Sequence, residues 1–273
     1  MYRAMRFPSG LGKALTLSYD DGVREDKRLI EIMIKNGLKG TFNINSGIFA
    51  PEGNNESRGR MRKDEAYELY LKSGMEVAVH TFMHPNLPFL TDAEVMYELN
   101  EDKLSIEKET NRIIRGMAYP YGTYSDSVVE CLQAAGFLYA RTVQSSHSFG
   151  ISKDWLRLPA TCHHNDKELM NLAHRFADME VVREPQMFYL WGHSYEFENN
   201  NNWNIIEEFS EIMGNRSDIW YATNIEIFEY MEAYDQLIVS ADGKTLFNPT
   251  AVTLYFKVLS GEYSIKPGET LKL

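Results

Sequence analysis

Short apolar runs and amphipathic stretches take turns along the first 236 residues. KALTLSY, from residue 13, alternates at period two and reads as a strand. REDKRLIEIMIKNG then sets Leu29 and Ile32 or Met33 at helical spacing and stops at Gly37. KGTFNINSGIF and MRKDEAYELYLKSG repeat the pair. MEVAVH leads through a loop to TDAEVMYELNEDKLSIEKETNR, where Thr91 and Glu94 form a capping box. IIRGMAYPYG precedes a helix, SDSVVECLQAAG, that starts at Ser125 or Asp126. FLYARTV and WLRLPATC read as strands and DKELMNLAHRFADM as a helix. The strands QMFYLWGH and DIWYATN are each followed by a helix, NWNIIEEFSEIMG and IEIFEYMEAYDQ. Seven or eight such units predict an α/β fold with a parallel sheet, most simply a closed but distorted (β/α) barrel. An open doubly wound sheet is the rival, and no glycine-rich nucleotide loop supports it.

The rhythm changes near residue 237. Residues 237–273 alternate without helical spacing and carry Asp242-Gly243 and Pro267-Gly268 turn signals. They predict a short antiparallel β appendage packed on a barrel of residues 1–236. PEGNNESRGR and EFENNNNW read as polar loops.

Composition narrows the function. The 273 residues are 44% hydrophobic and 25% charged, with a formal net charge of -11 and no basic run. Nucleic acid and anionic membrane surfaces are therefore poor partners. No stretch reaches the roughly 18 apolar residues of a membrane span. No apolar signal core precedes the first strand, which leads to the expectation of a cytoplasmic protein. Cys131 and Cys162 have no metal or redox spacing and read as reduced thiols.

LTLSYDDG ends a strand in two adjacent carboxylates, Asp20 and Asp21. Side chains alternate along a strand, so both acids face one site only if the chain turns there, and Gly22 permits the turn. One acid can then bind a cation while the other stays free for proton transfer, and a cation would relieve their repulsion. A plain Asp-Asp-Gly turn is the bland alternative. HTFMH sets His80 and His84 four residues apart after another strand, able to share one ion. Both motifs, with YPYG and WGHSYE, follow strands, and in a barrel those strand ends form one face.

In order and spacing, LTLSYDDG, VAVHTFMH, AYPYG and YLWGH resemble the motifs of the polysaccharide deacetylase family, the chitin and peptidoglycan N-deacetylases, over roughly residues 12–230. The resemblance implies a distorted (β/α) barrel that hydrolyses N-acetyl groups with a metal. It assigns Asp21, His80 and His84 to one divalent ion, Asp20 to the general base and His193 to the general acid. A mixed Asp-His set suits zinc, with cobalt or nickel also able to fill it. Three protein ligands leave a position open for water and acidify it. Asp20 would deprotonate that water, a backbone N–H in YPYG, most plausibly that of Tyr121, would help hold the oxyanion, and His193 would protonate the leaving amine. The expected substrate is an N-acetylated sugar. The competing readings are another amide hydrolase on the same barrel and a non-catalytic carbohydrate-binding protein, although retention of both Asp20 and His193 favours turnover.

Two departures stand out. Many family members begin the YPYG-like motif with an arginine that pairs with the base, where this chain has Ala118. Arg141 and Arg157 are the candidate substitutes, and without one the carboxyl should titrate higher. The family's later Asp-Trp element has only Asp154-Trp155 as a counterpart, so His163, His164 and Asp166 are the better candidates to partner His193 or touch substrate. The alternation of side chains along a strand argues against a Cys162-His163-His164 metal site, since consecutive residues cannot all converge on one ion. Tyr119, Tyr121, Trp191 and Tyr195 offer aromatic faces for a sugar, Tyr119, Trp191, His163 and Arg141 being the candidate substrate contacts.

Overall fold

A computed structural model describes residues 2–51, 59–259 and 261–273; most of PEGNNESRGR lies outside them. In chain order come β1 (Ala4–Arg6), β2 (Lys13–Asp20), α1 (Asp26–Lys35), β3 (Gly40–Ile44), α2 (Lys63–Ser73) and β4 (Glu76–Val79). Next are α3 (Asp92–Thr110), β5 (Gly116–Ala118), α4 (Asp126–Ala134), β6 (Tyr139–Ser145), β7 (Leu158–Ala160), β8 (Cys162–His163) and α5 (Leu169–Asp178). The barrel ends with β9 (Gln186–Gly192), α6 (Ser194–Asn199), α7 (Asn204–Met213), β10 (Ile219–Tyr221) and α8 (Asn224–Asp235). Five short strands follow: β11 (Ile238–Val239), β12 (Thr245–Phe247), β13 (Leu254–Val258), β14 (Gly261–Ile265) and β15 (Thr270–Lys272).

The barrel strands are parallel and run in the order β7-β6-β5-β4-β3-β2-β9-β8. Because β7 and β8 are separated only by Thr161, whose N–H donates to Tyr189 O on β9 at 2.8 Å, this one stretch pairs with β6 at its start and β9 at its end. That closes a ring of seven strands. The eighth, β10, pairs with Lys13–Leu15 of β2, while β3 pairs with Leu17–Asp20 of the same strand. The wedge of β10 between β2 and β3 is the distortion.

The period-two pattern of β2 explains where the site sits. Leu15, Leu17 and Tyr19 face the helices and join the main apolar core with Leu29 and Met33 of α1 and Phe42 of β3. The other parity, Thr16, Ser18 and Asp20, fills the barrel interior with polar pairs: Thr16 Oγ1 donates to Asn224 Oδ1 at 2.9 Å, and Asn43 Nδ2 donates to Ser18 Oγ at 2.9 Å. Asp20 ends that inward row at the C-terminal mouth. The capping boxes at Thr91 and Thr223 and the Ser125 cap start α3, α8 and α4. One expectation fails here. EFENNNNW is not wholly loop, since α6 runs through Asn199, its first turn closed by Glu196 N donating to His193 O at 3.0 Å.

β11, β12 and β15 form one small antiparallel sheet, and β13 and β14 a second. That second sheet also takes in β1, paired antiparallel to β13, so the pairing crosses the composition boundary at 237. Phe256 and Leu254 pack with Met5 and Phe7 against the barrel side of Tyr230 and Met187.

Candidate active site

Asp20 is 2% exposed and every polar contact it makes is specific. Its Oδ1 accepts from Asn43 Nδ2 at 2.8 Å. Its Oδ2 accepts from Arg141 Nη2, and stands 3.9 Å from both His80 Nε2 and His193 Nε2. Burial pushes this carboxyl up, but the Arg141 guanidinium, with His80 and His193, more than offsets it and leaves the pKa at about 2. The charge partner that Ala118 cannot supply therefore comes from one strand over. Ala118 and Arg141 are register partners on β5 and β6. Arg141 is fully buried, with Trp191 stacked on its guanidinium at 4.5 Å. Arg157, the other candidate, binds Asp126 at 2.7 Å and Asp154 at 3.2 Å instead.

The chain turns at the acidic pair, with Asp21 at a left-handed φ of 87° followed by Gly22 at 65°. Asp21, His80 and His84 bring one ligand atom each to within 4.8 Å of one another. Thr81, His84 and Tyr121 are also left-handed non-glycine residues, at φ 67°, 58° and 57°, so strained backbone gathers around this point. The imidazoles fit a cation by tautomer as well as position. His80 Nδ1 lies 2.8 Å from Ala118 O, and a carbonyl only accepts, so the proton sits on Nδ1 and Nε2 is bare. Burial lowers the pKa of His80 to about 4 and moves His84 below its ordinary value, so both rings are neutral near pH 7. The donor set thus fits one divalent ion of zinc's preference.

A second cluster, His163, His193 and Glu196, is equally compact, with one ligand atom from each within 4.8 Å of the others. Chemistry decides against an ion there. Asn165 N–H donates to His163 Nδ1 at 3.1 Å, so in the neutral ring the proton is on Nε2, the atom 3.2 Å from Glu196 Oε2. A protonated nitrogen cannot ligate. Glu196 serves instead as a hub: His193 Nδ1 lies 3.1 Å from its Oε1, and His164 Nε2 is 2.9 Å from Oε2, too oblique for a hydrogen bond. Burial alone would raise Glu196, but contacts with the three imidazoles hold it far below the usual carboxylate range. Burial would likewise lower His193, but the Glu196 hydrogen bond and the charges of Asp20 and Asp21 win, and its pKa is raised.

Several expected roles change. The partner of His193 is Glu196; Asp166 pairs with His147 at 2.7 Å, and Asp154 is an exposed partner of Arg157. The sequence signal for Glu196 was its place three residues after His193, at the first turn of a helix read as loop. Tyr119, Trp191, His163 and Arg141 do not line the cleft beside Asp21 and His84. Arg141 and, through it, Trp191 support the base rather than the substrate, while Tyr119 sits in the apolar core, its OH donating to Leu156 O at 2.8 Å and its ring stacked on Tyr124. The cleft, about 800 Å³, is lined among others by Asp21, Phe49, Arg60, His84, Tyr121 and Tyr195. Tyr121 is 63% exposed, with its ring edge-on to His84 at 4.6 Å.

The hub also fixes a glycine. A Cβ on Gly192 would lie 2.0 Å from His164 Nδ1. Gly192→Ala should therefore displace the fully buried His164 and destabilise the protein by about 1–3 kcal/mol, the usual cost of overpacking. Urea unfolding of the two proteins measures it; unchanged stability would mean His164 is not held where described.

Residues 9–140 match the family model described as polysaccharide deacetylase. No curated protein matches the chain. Among solved structures, a putative polysaccharide deacetylase from Mycobacterium smegmatis is 14% identical, with a TM-score of 0.59 over 86% of this chain and 95% of that one. The Xyl-CE4 domain of a multidomain xylanase from the hindgut metagenome of Trinervitermes trinervoides is 15% identical, with a TM-score of 0.53 over 81% and 92%. A CE4 family pseudoenzyme from Bacillus anthracis is 18% identical, with a TM-score of 0.50 over 84% and 68%. At such identities the structural likenesses establish the fold. No helix among the described residues is long and apolar enough to cross a membrane.

Proposed function

Since this chain belongs to the polysaccharide deacetylase family through residues 9–140, as an atypical member with Ala118 where the motif arginine would stand, we propose that it is a metal-dependent hydrolase removing N-acetyl groups from a carbohydrate. The observation that carries the reading is the convergence of Asp21, His80 and His84, the last two neutral, beside an ionised Asp20 and a protonation-prone His193.

When bound, a divalent ion supplies Lewis-acid polarisation of the amide carbonyl and acidifies water. The chain supplies the rest. Asp20, kept anionic by Arg141, accepts the proton of the attacking water. His193, with Nδ1 held by Glu196, carries a proton on Nε2 and delivers it to the nitrogen as the C–N bond breaks, so the amine leaves neutral. Glu196 keeps that imidazolium in place. Tyr121, Phe49 and Tyr195 offer the apolar faces a pyranose ring would pack on.

Acetate release from chitooligosaccharides, N-acetylglucosamine derivatives and acetylated xylan tests the reading. Asp20→Asn and His193→Ala should each lose at least ~100-fold in turnover on whichever substrate responds, the scale of acid–base catalysis. Near-normal turnover in either variant would remove its residue from the mechanism. No acetate from any of these glycans would favour the carbohydrate-binding alternative, for which the pseudoenzyme fold-mate gives a precedent of architecture.

A further inference from the structure

The metal ligands come from two separate segments, Asp21 after β2 and His80 with His84 after β4, both in strained backbone. Something must hold those segments in register. Between them lies Asn45, just after β3 and 2% exposed. Its Nδ2 donates to the carbonyls of His80 and of Thr81, the latter at 2.9 Å. Its Oδ1 accepts from Arg60 Nη1 at 2.9 Å. The same Arg60 nitrogen donates to the backbone carbonyl of Asp21, and Nη2 reaches Asp21 Oδ1 at 3.0 Å. All of Asn45's amide is thus spent joining the left-handed turn at Asp21 to the left-handed turn at Thr81.

We propose that Asn45 and Arg60 are positioning residues that bridge the two halves of the metal centre and set its affinity for the ion. The proposal rests on the metal-centre reading above. Two effects of Arg60 oppose each other. Its charge repels a cation bound to Asp21, whereas its fork fixes the Asp21 carboxylate and main chain. The fork wins because it makes three bonds, two of them to groups other than the ligand carboxylate, so most of its effect is on geometry. Groups that orient metal ligands commonly carry about 10–100-fold in affinity.

The test uses the full chain, stripped with a chelator and reloaded with Zn²⁺ in chelator competition, with Co²⁺ absorption as a readout of ligand geometry. Asn45 is neutral, so Asn45→Ala reads the bridge without changing charge. It should bind Zn²⁺ about 10–100-fold more weakly and shift the Co²⁺ band. Arg60→Met and Arg60→Lys should both bind more weakly too, since lysine keeps the charge but not the fork. They decide the matter even if Asn45→Ala fails to fold. The thermal midpoint of each metal-free variant separates a bridge from general loosening. Tighter Zn²⁺ binding by Arg60→Met, wild-type affinity in Arg60→Lys, or affinity losses that merely track lost metal-free stability would each overturn the proposal. Wild-type protein that takes up no ion would remove the metal centre itself, and the bridge with it.

Discussion

Replacing His80 by alanine should empty the site of its ion and abolish measurable turnover. Only Asp21 and His84 would remain as protein ligands, and a first-sphere ligand matters more than the orienting groups that already carry ~10–100-fold in affinity. A loss of at least ~100-fold in Zn²⁺ affinity is expected, seen as near-zero metal content after dialysis. His163→Ala is the matched control. His163 sits in a cluster of similar compactness, but its cluster-facing nitrogen carries the proton, so its removal should leave metal content unchanged. Full occupancy in His80→Ala, or loss in His163→Ala, would put the ion elsewhere. The same tautomer argument gives a pH dependence. His80 and His164 titrate near 4 in the folded protein because burial lowers them, while the unfolded rings titrate near the ordinary value of 6.5. Between those values each of these rings binds more protons in the unfolded chain and so lowers the stability of the metal-free protein as pH falls from 6.5 toward 4, whereas the buried Asp26 and Asp102 carboxyls, raised to about 7 by burial, act in the opposite sense. Comparing the pH dependence of the denaturation midpoint with that of His164→Gln isolates one ring, and identical profiles from pH 6.5 to 4 would contradict its burial.

What the sequence made legible was whatever depends on residue order alone. Strand and helix periods gave the barrel, and the two carboxylates and two histidines after their strands marked side chains that the fold brings together. What it hid was whatever depends on neighbouring strands. Arg141 could be offered as a substitute for the missing cation, but so could Arg157; only the pairing of β5 with β6 in register distinguishes them. Glu196 was missed because WGHSYE reads as a strand running into a polar loop, when the chain turns helical right after His193. Asn45 and Arg60 carry no local signature at all: their meaning lies in bonds to segments 35 to 39 residues away, made only when β2, β3 and β4 align. For the acidic pair the sequence offered a cation or a plain Asp-Asp-Gly turn. In the fold each acid has its own guanidinium, Arg141 for Asp20 and Arg60 for Asp21.

That division of labour makes Arg141→Met the most revealing substitution after the ligands. In the wild-type protein Asp20 titrates at about 2, because Arg141, with His80 and His193, outweighs the cost of burial. The base is then ionised throughout the working range, and the acidic limb of kcat/KM belongs to another group. Without the guanidinium, burial dominates, the carboxyl rises, and the acidic limb should move to higher pH. Stability should fall as well, by roughly 3–5 kcal/mol, the penalty for stranding one partner of a buried pair. Arg157→Met should shift nothing, since that side chain serves Asp126 and Asp154. The decisive protein is the swap. Arg141→Ala frees the space beside Asp20, and Ala118→Arg in the same chain returns a guanidinium from the register-matched position about 4.8 Å away on the next strand. If the charge is what matters and not the strand that carries it, the double variant should bring the acidic limb back toward low pH and recover stability lost in Arg141→Ala. An acidic limb that stays put in Arg141→Met, or a double variant no better than Arg141→Ala, would show that the guanidinium does not hold the base ionised and that Ala118 marks a different change in the site.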